Sequence, residues 1–399
     1  MKNFAFLLKY SLRNLKRNPK RTIILFLALT FSSVLVVWAF NVNKSGVDES
    51  IKEITAQYVG KYQASHKDFD LFSSEIKLHK YLTEDYKQPG FENLAPRAIT
   101  PVFISGLKKT IGALMVGVDP ERELKLTKFS KSIIEGNYFS DPSVQHPIIL
   151  GQKLAHRLDV KLGEEVVVIG QGLDGSMAND LFVVVGLFDV GGGDMEEKFL
   201  FTTIPRVWDF ISMPNGSYHS LVGMDDSLIP MLEAKNFKVL SWKKLIPDVF
   251  VSFDFLEKLN FILTIIMVFV VSLGVSNTLF VSFNERQKEI HSLNTIGANS
   301  LWIMTSLMIE TFSLLIIALV LGSLIASLIS YYFNVHPIDL RVFSGNQQMM
   351  VGGMEINSFI RVSDFLGSHI KSFVMITSFV SMAMIYPIGR VIKRSKRVS

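Results

Sequence analysis

Four long apolar runs constrain this chain more than any other feature. A segment inside a bilayer must satisfy its backbone N–H and C=O groups internally, so such runs become helices. Ile23–Val42 (IILFLALTFSSVLVVWAFNV) is 20 residues without a charge, about the length that crosses a ~30 Å hydrocarbon core. It is too long for a signal peptide, and it is poor in a small-residue cleavage site. Phe261–Phe283 is a second span. The third run extends from Leu301 to Phe333 and is interrupted by Glu310. Its span is placed at about Thr311–Phe333, with Leu301–Glu310 as an interfacial lead-in. The fourth, Ser372–Ile388, has 17 residues and reaches full thickness by borrowing from Asp364–Lys371. The 31 Phe and 49% hydrophobic content fit the membrane class.

Charge sets the expected orientation. The first 21 residues hold seven bases (Lys2, Lys9, Arg13, Lys16, Arg17, Lys20, Arg21) and no acid. The last ten hold five (Arg390, Lys393, Arg394, Lys396, Arg397) and no acid. The positive-inside rule then puts both ends in the cytoplasm, and four spans satisfy that parity. Anchoring to anionic lipid is sufficient to explain both basic ends. Phe4, Leu7, Leu8, Leu12 and Leu15 fall near one helical face, which predicts an amphipathic helix on the inner leaflet. The expected division is an N-terminal helix at 1–21, spans at 22–42, 259–283, 301–333 (with its lead-in) and 372–389, and a basic tail at 390–399. Residues 43–258 and 334–371 lie outside, and 284–300 is the internal loop.

The 216 residues from 43 to 258 suffice for one folded domain or two small ones. Val166–Ile169, Leu181–Leu187 and Ala113–Val118 read as strands. Ile148–Val160 reads as a strand end followed by a short helix carrying Leu154, His156 and Leu158. Asn43–Tyr58 continues the first span outward as a helix. Strands mixed with short helices give an α+β domain. The Gly-rich DVGGGDMEE (Asp189–Glu197) is not a phosphate loop, because no Lys-Ser/Thr follows. It reads as a plain hairpin or as a flexible loop touching substrate.

Catalytic chemistry has little to stand on. The eight histidines are scattered, and no HExxH, GxSxG or paired metal spacing occurs. No metal ligand set and no catalytic residue is assigned. The acids Asp194, Glu196 and Glu197, and Asp225 with Asp226, read as a solvated surface. The chain has no cysteine, which removes disulfides and thiolate chemistry. Basic patches interleaved with aromatics are missing from the outer domain, which argues against nucleic acid.

The internal loop SFNERQKEIHSLNTIGANS (Ser282–Ser300) is richer than a turn needs to be. Glu285, Arg286, Lys288 and Glu289 can form helical charge pairs. Ile290, Leu293 and Ile296 make an apolar ridge, and Gly297-Ala298 ends the helix. Two uses are equally open from these residues: docking in a groove on a cytoplasmic partner, or resting on lipid.

The pattern ERQKEIHSLNTIGA resembles the signature of the MacB/FtsX-type ABC permeases, E-(R/K)-x-x-E-I-x-x-L-(R/K)-x-x-G-A. Glu285, Arg286, Glu289, Ile290, Leu293, Gly297 and Ala298 match it, while Asn294 stands where a base is common. One span, an outer domain of about this size and three further spans fit the same family. GALMVGVDPE, HPIILGQKLAHRLDVKLGEEVVV and LFVVVGLF are similar to its periplasmic domain. Length and layout are nearest the lipoprotein-releasing permeases of the LolC/LolE type. Near the C-terminus Tyr386-Pro387 and Arg390 are kept, but VIKRSKRVS replaces the usual ending.

The resemblance implies a membrane α-helical fold of four transmembrane helices, with a large α+β periplasmic domain inserted between helices 1 and 2. It implies a multi-pass protein of the bacterial inner membrane. The loop becomes a coupling helix seated in an ABC ATPase subunit, which binds the ATP and Mg because this chain has no G-x-x-x-x-G-K-[ST]. Implied partners are a second permease copy or a related permease, lipoprotein cargo, a periplasmic carrier and membrane lipids. Rival readings are an efflux or peptide-export permease working with a periplasmic adaptor, and an FtsX-like signalling scaffold that controls a cell-wall hydrolase. Glu310 reads as an interfacial acid or a coupling residue. Gly322 and Ala326 form a small-xxx-small pair that suits tight helix packing, a dimer interface being one place for it. His369 and Lys371 read as snorkelling side chains.

Overall fold

The computed structural model describes Arg13 and residues 19–395 apart from 70–76, 107–108, 140–143, 191–193, 286–291, 293–299, 343–349, 352–353 and 356–357. The expected N-terminal helix thus lies outside the described residues, except for Arg13 and 19–21. The chain divides into two compact units. One comprises residues 1–48, 255–340 and 359–399, and the other 49–254 and 341–358.

Four long helices are described: α1 (Pro19–Ile54), α2 (Pro247–Glu285), α3 (Ser300–Val335) and α4 (Leu366–Ser395). Each is long and apolar enough to cross a membrane. The shortest has 30 residues, or ~45 Å at 1.5 Å per residue, so all four outrun the ~30 Å core. The helices are longer than the apolar runs because nothing at the run ends stops them. The chain past Val42 carries no Pro, and α1 runs through Ser45 and Gly46 to Ile54. Helix α2 begins at Pro247 rather than near 259. Pro suits the first helical turn, and Asp248 beside it complements the helix dipole. Helix α3 is unbroken from Ser300, so Glu310 sits within it, and no separate lead-in exists. Helix α4 does begin within the segment expected to extend the fourth run.

The four helices share one apolar core. Leu29 and Val36 of α1 meet Val268 of α2, Leu315 of α3 and Ile376 of α4. Serines lock pairs of helices across this core. Ser33 Oγ donates to the Leu319 carbonyl at 3.2 Å, and Ser276 Oγ donates to the Ala383 carbonyl at 3.1 Å.

The second unit is built on ten strands. In chain order they are β1 (Tyr62–Ser65), β2 (Leu94–Ser105), β3 (Thr110–Val118), β4 (Ile133–Gly136), β5 (Pro147–Gly151), β6 (Glu165–Gln171), β7 (Met177–Phe188), β8 (Phe199–Thr203), β9 (Ser220–Gly223) and β10 (Lys238–Ser241). The strands read from Ala113–Val118, Val166–Ile169 and Leu181–Leu187 lie inside β3, β6 and β7. Strand β5 leads into a helix at Gln152–Leu158, as the sequence of that stretch predicts. Pairing runs β2–β3–β8–β5–β7–β6 and returns to β2, which closes a ring of six strands. Closure leaves no free edge in that ring. Strands β9, β1 and β10 extend from β2 as a wing with its own core around Tyr62, Leu94 and Tyr218.

The Gly-rich stretch is not a hairpin. Asp194–Lys198 forms a short helix that leads into β8, and no pairing joins β7 to β8. Nor is Glu196 part of a solvated acidic surface. It is buried, accepts from the Val190 amide at 3.0 Å and faces Lys153 at 3.5 Å.

Two buried polar groups are tied into the ring and wing. Arg97 of β2 and Glu123 form an ion pair at 2.6 Å with neither exposed. Arg97 also donates to the Tyr58 carbonyl at 2.6 Å and lies 3.7 Å over the Tyr58 ring. Glu123 accepts a further bond from Thr127 Oγ. His219 is buried at the head of β9. Its Nδ1 accepts from the Ile99 amide at 2.9 Å, and Nε2 donates to the Leu78 carbonyl at 2.9 Å. The bond accepted at Nδ1 requires the neutral ring, and burial pushes its pKa down to about 4.

That shift sets a pH dependence. The unfolded chain takes up the His219 proton near pH 6.5, while the folded chain resists it to about pH 4. Stability is therefore full above pH 6.5 and falls as pH drops between these values, by about 1.4 kcal/mol per unit. Thermal unfolding of the full chain in detergent at pH 7.5 and 5 should show this slope. His219→Gln should unfold more easily at pH 7.5 and show a flatter slope.

Candidate functional site

The loop between α2 and α3 carries the densest set of candidate residues. Helix α2 ends at Glu285 and α3 begins at Ser300. Arg286, Glu289, Ile290, Leu293, Gly297 and Ala298 lie outside the described residues, and so does the Glu285 side chain. Ser292 is described, and it is helical.

The other candidates lie on α3. Glu310 is buried, in the third turn of the helix, with Ser306 and Thr311 buried beside it. Gly322 is pressed against α1. A Cβ there would lie 2.5 Å from Ser33 Cβ and 2.8 Å from the Thr30 carbonyl oxygen. Ala326, one turn on, is fully buried. The tight packing expected of this pair is therefore made, at Gly322, within one chain, against α1, and not at an interface between copies. The Ser33 bond to the Leu319 carbonyl sits at the same close approach.

Sequence reasoning missed a polar cluster that begins five residues beyond Gly322 on α3, at Ser327. It centres on Asp364, two residues before α4. Asn41 Nδ2 of α1 donates to Asp364 Oδ1 at 2.7 Å, and Ser327 Oγ of α3 donates to Oδ2 at 2.7 Å. His369 Nε2 of α4 lies 2.8 Å from Oδ1. Asn41 Nδ2 also donates to Ser330 Oγ at 3.1 Å, and its Oδ1 accepts from the Phe365 amide at 3.3 Å. The Ser363 amide donates to Ser45 Oγ at 2.8 Å. Helices α1, α3 and α4 are thus fastened at one end through a single carboxylate. Burial opposes its charge, but the bonds from Ser327, His369 and Asn41 hold it below the usual carboxylate range.

This corrects the reading of His369, which is paired to Asp364 rather than snorkelling. Lys371 is exposed. The cluster has no nucleophile arrangement. The Ser327 hydroxyl donates to the carboxylate, and the His369 Nε2 bond goes to the same carboxylate, so the imidazole does not face the serine. What the cluster can do is fix helix positions. The signals for it were a lone Asn in an apolar run and an Asp just before an apolar helix.

In the second unit, β2, β6 and β7 turn a row of apolar side chains outward. Phe103, Val167 and Leu181 are exposed, and Val167 stands opposite both Ser105 and Leu181. Among the described residues no group of three or more His, Cys, Asp or Glu could hold a metal ion.

Residues 261–396 match the family model for the FtsX-like permease C-terminal domain. A curated relative, the lipoprotein-releasing system transmembrane protein LolC of Neisseria meningitidis serogroup B, is 21% identical over 286 residues, covering 65% of this chain and 68% of that protein. A solved structure, the extracellular domain of the noncanonic ABC-type transporter YknZ from Gram-positive bacteria, has a TM-score of 0.29 at 14% identity, covering 40% of this chain and 90% of that one. At that score the structural likeness carries no weight.

The close approach at Gly322 makes a paired test. Gly322→Ala should lower the thermal midpoint of the full chain in detergent. Gly274→Ala has nothing within 4 Å of the added Cβ and should be neutral or stabilise by up to about 1 kcal/mol. Removing the carboxylate with Asp364→Ala should lower the midpoint more than Asp364→Asn, since the amide keeps an acceptor for Ser327 or Asn41.

Proposed function

We propose that this chain, which belongs to the FtsX-like permeases near LolC, is the membrane subunit of an ATP-driven complex that extracts lipoproteins from a bacterial inner membrane. The observation that carries the reading is the family match over 261–396, which takes in ERQKEIHSLNTIGA between two membrane helices. The likeness to LolC, a lipoprotein-releasing system protein, supports the cargo class, and a periplasmic carrier would receive the released cargo. Both termini and the 284–300 loop are cytoplasmic on this reading, and the strand-built unit is periplasmic.

ATP and Mg belong to a separate ABC ATPase subunit, and a second permease, identical or related, completes the complex. The loop residues Glu285, Arg286, Glu289, Ile290 and Leu293 seat in a groove on the ATPase, charged flanks outside and apolar ridge inward. Gly297 and Ala298 end the coupling helix. The loop is joined directly to α2 and α3, so its displacement on nucleotide binding acts on both helices at once. A helix is stiff along its axis, which suits rigid-body switching. Glu310, about three turns into α3, lies on this cytoplasmic side and is proposed to help couple the loop to the bundle. Gly322 and Ala326 keep α3 tight against α1, so the two helices move together.

Replacing Glu289 and Leu293 with Lys should abolish copurification of the ATPase, while the thermal midpoint of the chain stays within a few degrees of the parent. ATPase retained by that variant would overturn the coupling role. Mass spectrometry of the parent complex from native membranes should find acylated lipoproteins. A periplasmic adaptor or hydrolase without them would overturn the cargo assignment.

A further inference from the structure

We infer that α2 is the helix that shifts within this bundle, as a rod sliding against a frame made of α1, α3 and α4. The inference rests on the reading of the 284–300 loop as the coupling segment, and it adds which helix carries the motion outward.

The path of the chain singles out α2. It runs unbroken from Pro247 to Glu285, 39 residues or ~58 Å at 1.5 Å per residue. Its first residues, to Asp254, belong to the strand-built unit, and its last is followed directly by the loop. Helix α1 also reaches the strand-built unit, but its other end, at Pro19, is not joined to the loop. Helix α3 leaves the loop but ends at Val335, inside the helical unit. Among the four helices, α2 alone connects the loop to the strand-built unit in one piece.

Packing separates the same helix from the rest. In lipid no hydrophobic force presses helices together, so contact and hydrogen bonds hold them. Helices α1 and α3 touch at Gly322, and Asp364 ties both of them to α4. On α2, Gly274 has nothing within 4 Å of the position a Cβ would take. Ser252, Thr264, Ser272 and Thr278 donate to carbonyls of α2 itself, while Ser276 reaches across to the Ala383 carbonyl. Where α2 meets α1 and α4, a void of about 10 Å³ remains between Leu29, Val36, Val268, Val275, Ile376 and Val380. Side chains facing a void forfeit dispersion contacts across it. The most apolar stretch of α2 is 22% buried, against 28% for α4, 33% for α3 and 39% for α1.

A helix held mainly by contact can slide along its neighbours as a shear motion. Moving α1, α3 or α4 alone would take a donor from an ionised carboxylate, and bonds to charged groups are the strong ones. The loop acts on α2 and α3 together. Helix α3 is tied to two neighbours and holds, and α2 yields.

The test is pulsed electron–electron double resonance on the full chain in nanodiscs. The chain has no cysteine, so spin labels go on pairs drawn from Phe31→Cys of α1, Val270→Cys of α2, Leu328→Cys of α3 and Ile385→Cys of α4. All four positions are exposed, so a label there displaces no packed neighbour. Labelled chain diluted into unlabelled chain reads distances within one copy. Distances from the α2 label should be about twofold broader in distribution than those among the three frame labels, as for a weakly packed element. In complex with the copurified ATPase, ATP with vanadate should shift the distances from the α2 label and leave the frame distances in place. Equal widths in the chain alone, no shift of the α2 label on adding nucleotide, or frame distances that shift as far, each overturns the inference. Unequal widths in a chain that brings no ATPase support the loose rod while overturning the coupling reading, which tells the two failures apart. Asp364→Ala should broaden the α1–α4 distance, and the comparison within the parent chain stands even where that variant fails to fold.

Discussion

Gly322 has no side chain because α1 leaves no room for one. In water, two helices are pressed together by the loss of apolar surface to solvent. In lipid that force is absent, and what holds helices together is contact distance and hydrogen bonding. The missing Cβ at Gly322 lets the backbone of α3 approach Thr30 and Ser33 of α1. The close approach then brings Ser33 within reach of a main-chain carbonyl on the facing helix. One small residue thus supplies both kinds of attraction. The Asp364 cluster repeats the logic further along the same helix pair and adds α4. Between them, the two sites fix α1 against α3 at positions separated by more than one helical turn. That sets both spacing and rotation.

The strand-built unit solves a different problem. It carries charged and polar side chains inside a folded core, and Arg97, Glu123 and His219 are each held by specific partners. Arg97 would be costly without Glu123, because an unpaired buried charge loses several kcal/mol of solvation. The pair is tied to the Tyr58 carbonyl and ring, so it also locates the chain just after α1. Gly60 follows at φ +76°, where a Cβ would lie 2.4 Å from Val222 Cγ1. The turn from helix to first strand therefore depends on a glycine and a buried arginine acting on adjacent residues. His219 joins β9 to β2 and to the Leu78 carbonyl in the same way, by a pair of bonds that is complete for the neutral ring only.

How much of this was legible in the sequence follows from the range of each interaction. The spans were legible because bilayer thickness converts directly to run length. The helical continuation of the first span was read from Asn43–Tyr58, but the start of α2 at Pro247 was not, since hydropathy drops outside the membrane while helical backbone bonding does not. Strands such as Val166–Ile169 and Leu181–Leu187 were legible from their β-branched runs, but ring closure was not, because it rests on pairings such as β2 with β6. The small residues Gly322 and Ala326 announced close packing, yet the partner helix cannot be read from spacing on one helix. Asp364 was invisible as a hub because its donors come from positions 41, 327 and 369. DVGGGDMEE misled for a related reason. Glycines suggested a turn, but the acids after them form a short helix, one of them buried against Val190 and Lys153.

The loop between α2 and α3 was the reverse case. Its signal lies in ERQKEIHSLNTIGA itself, where charge, apolar ridge and terminating glycine are all local in sequence. Local pattern suffices to propose a docking helix because a partner reads only one face of it. The outward apolar row of the strand-built unit has no such local signal, because it arises from cross-strand register. The family likeness is carried by residues 261–396, whereas the grouping of Phe103 with Leu181 is set by the ring of strands rather than by neighbours in sequence.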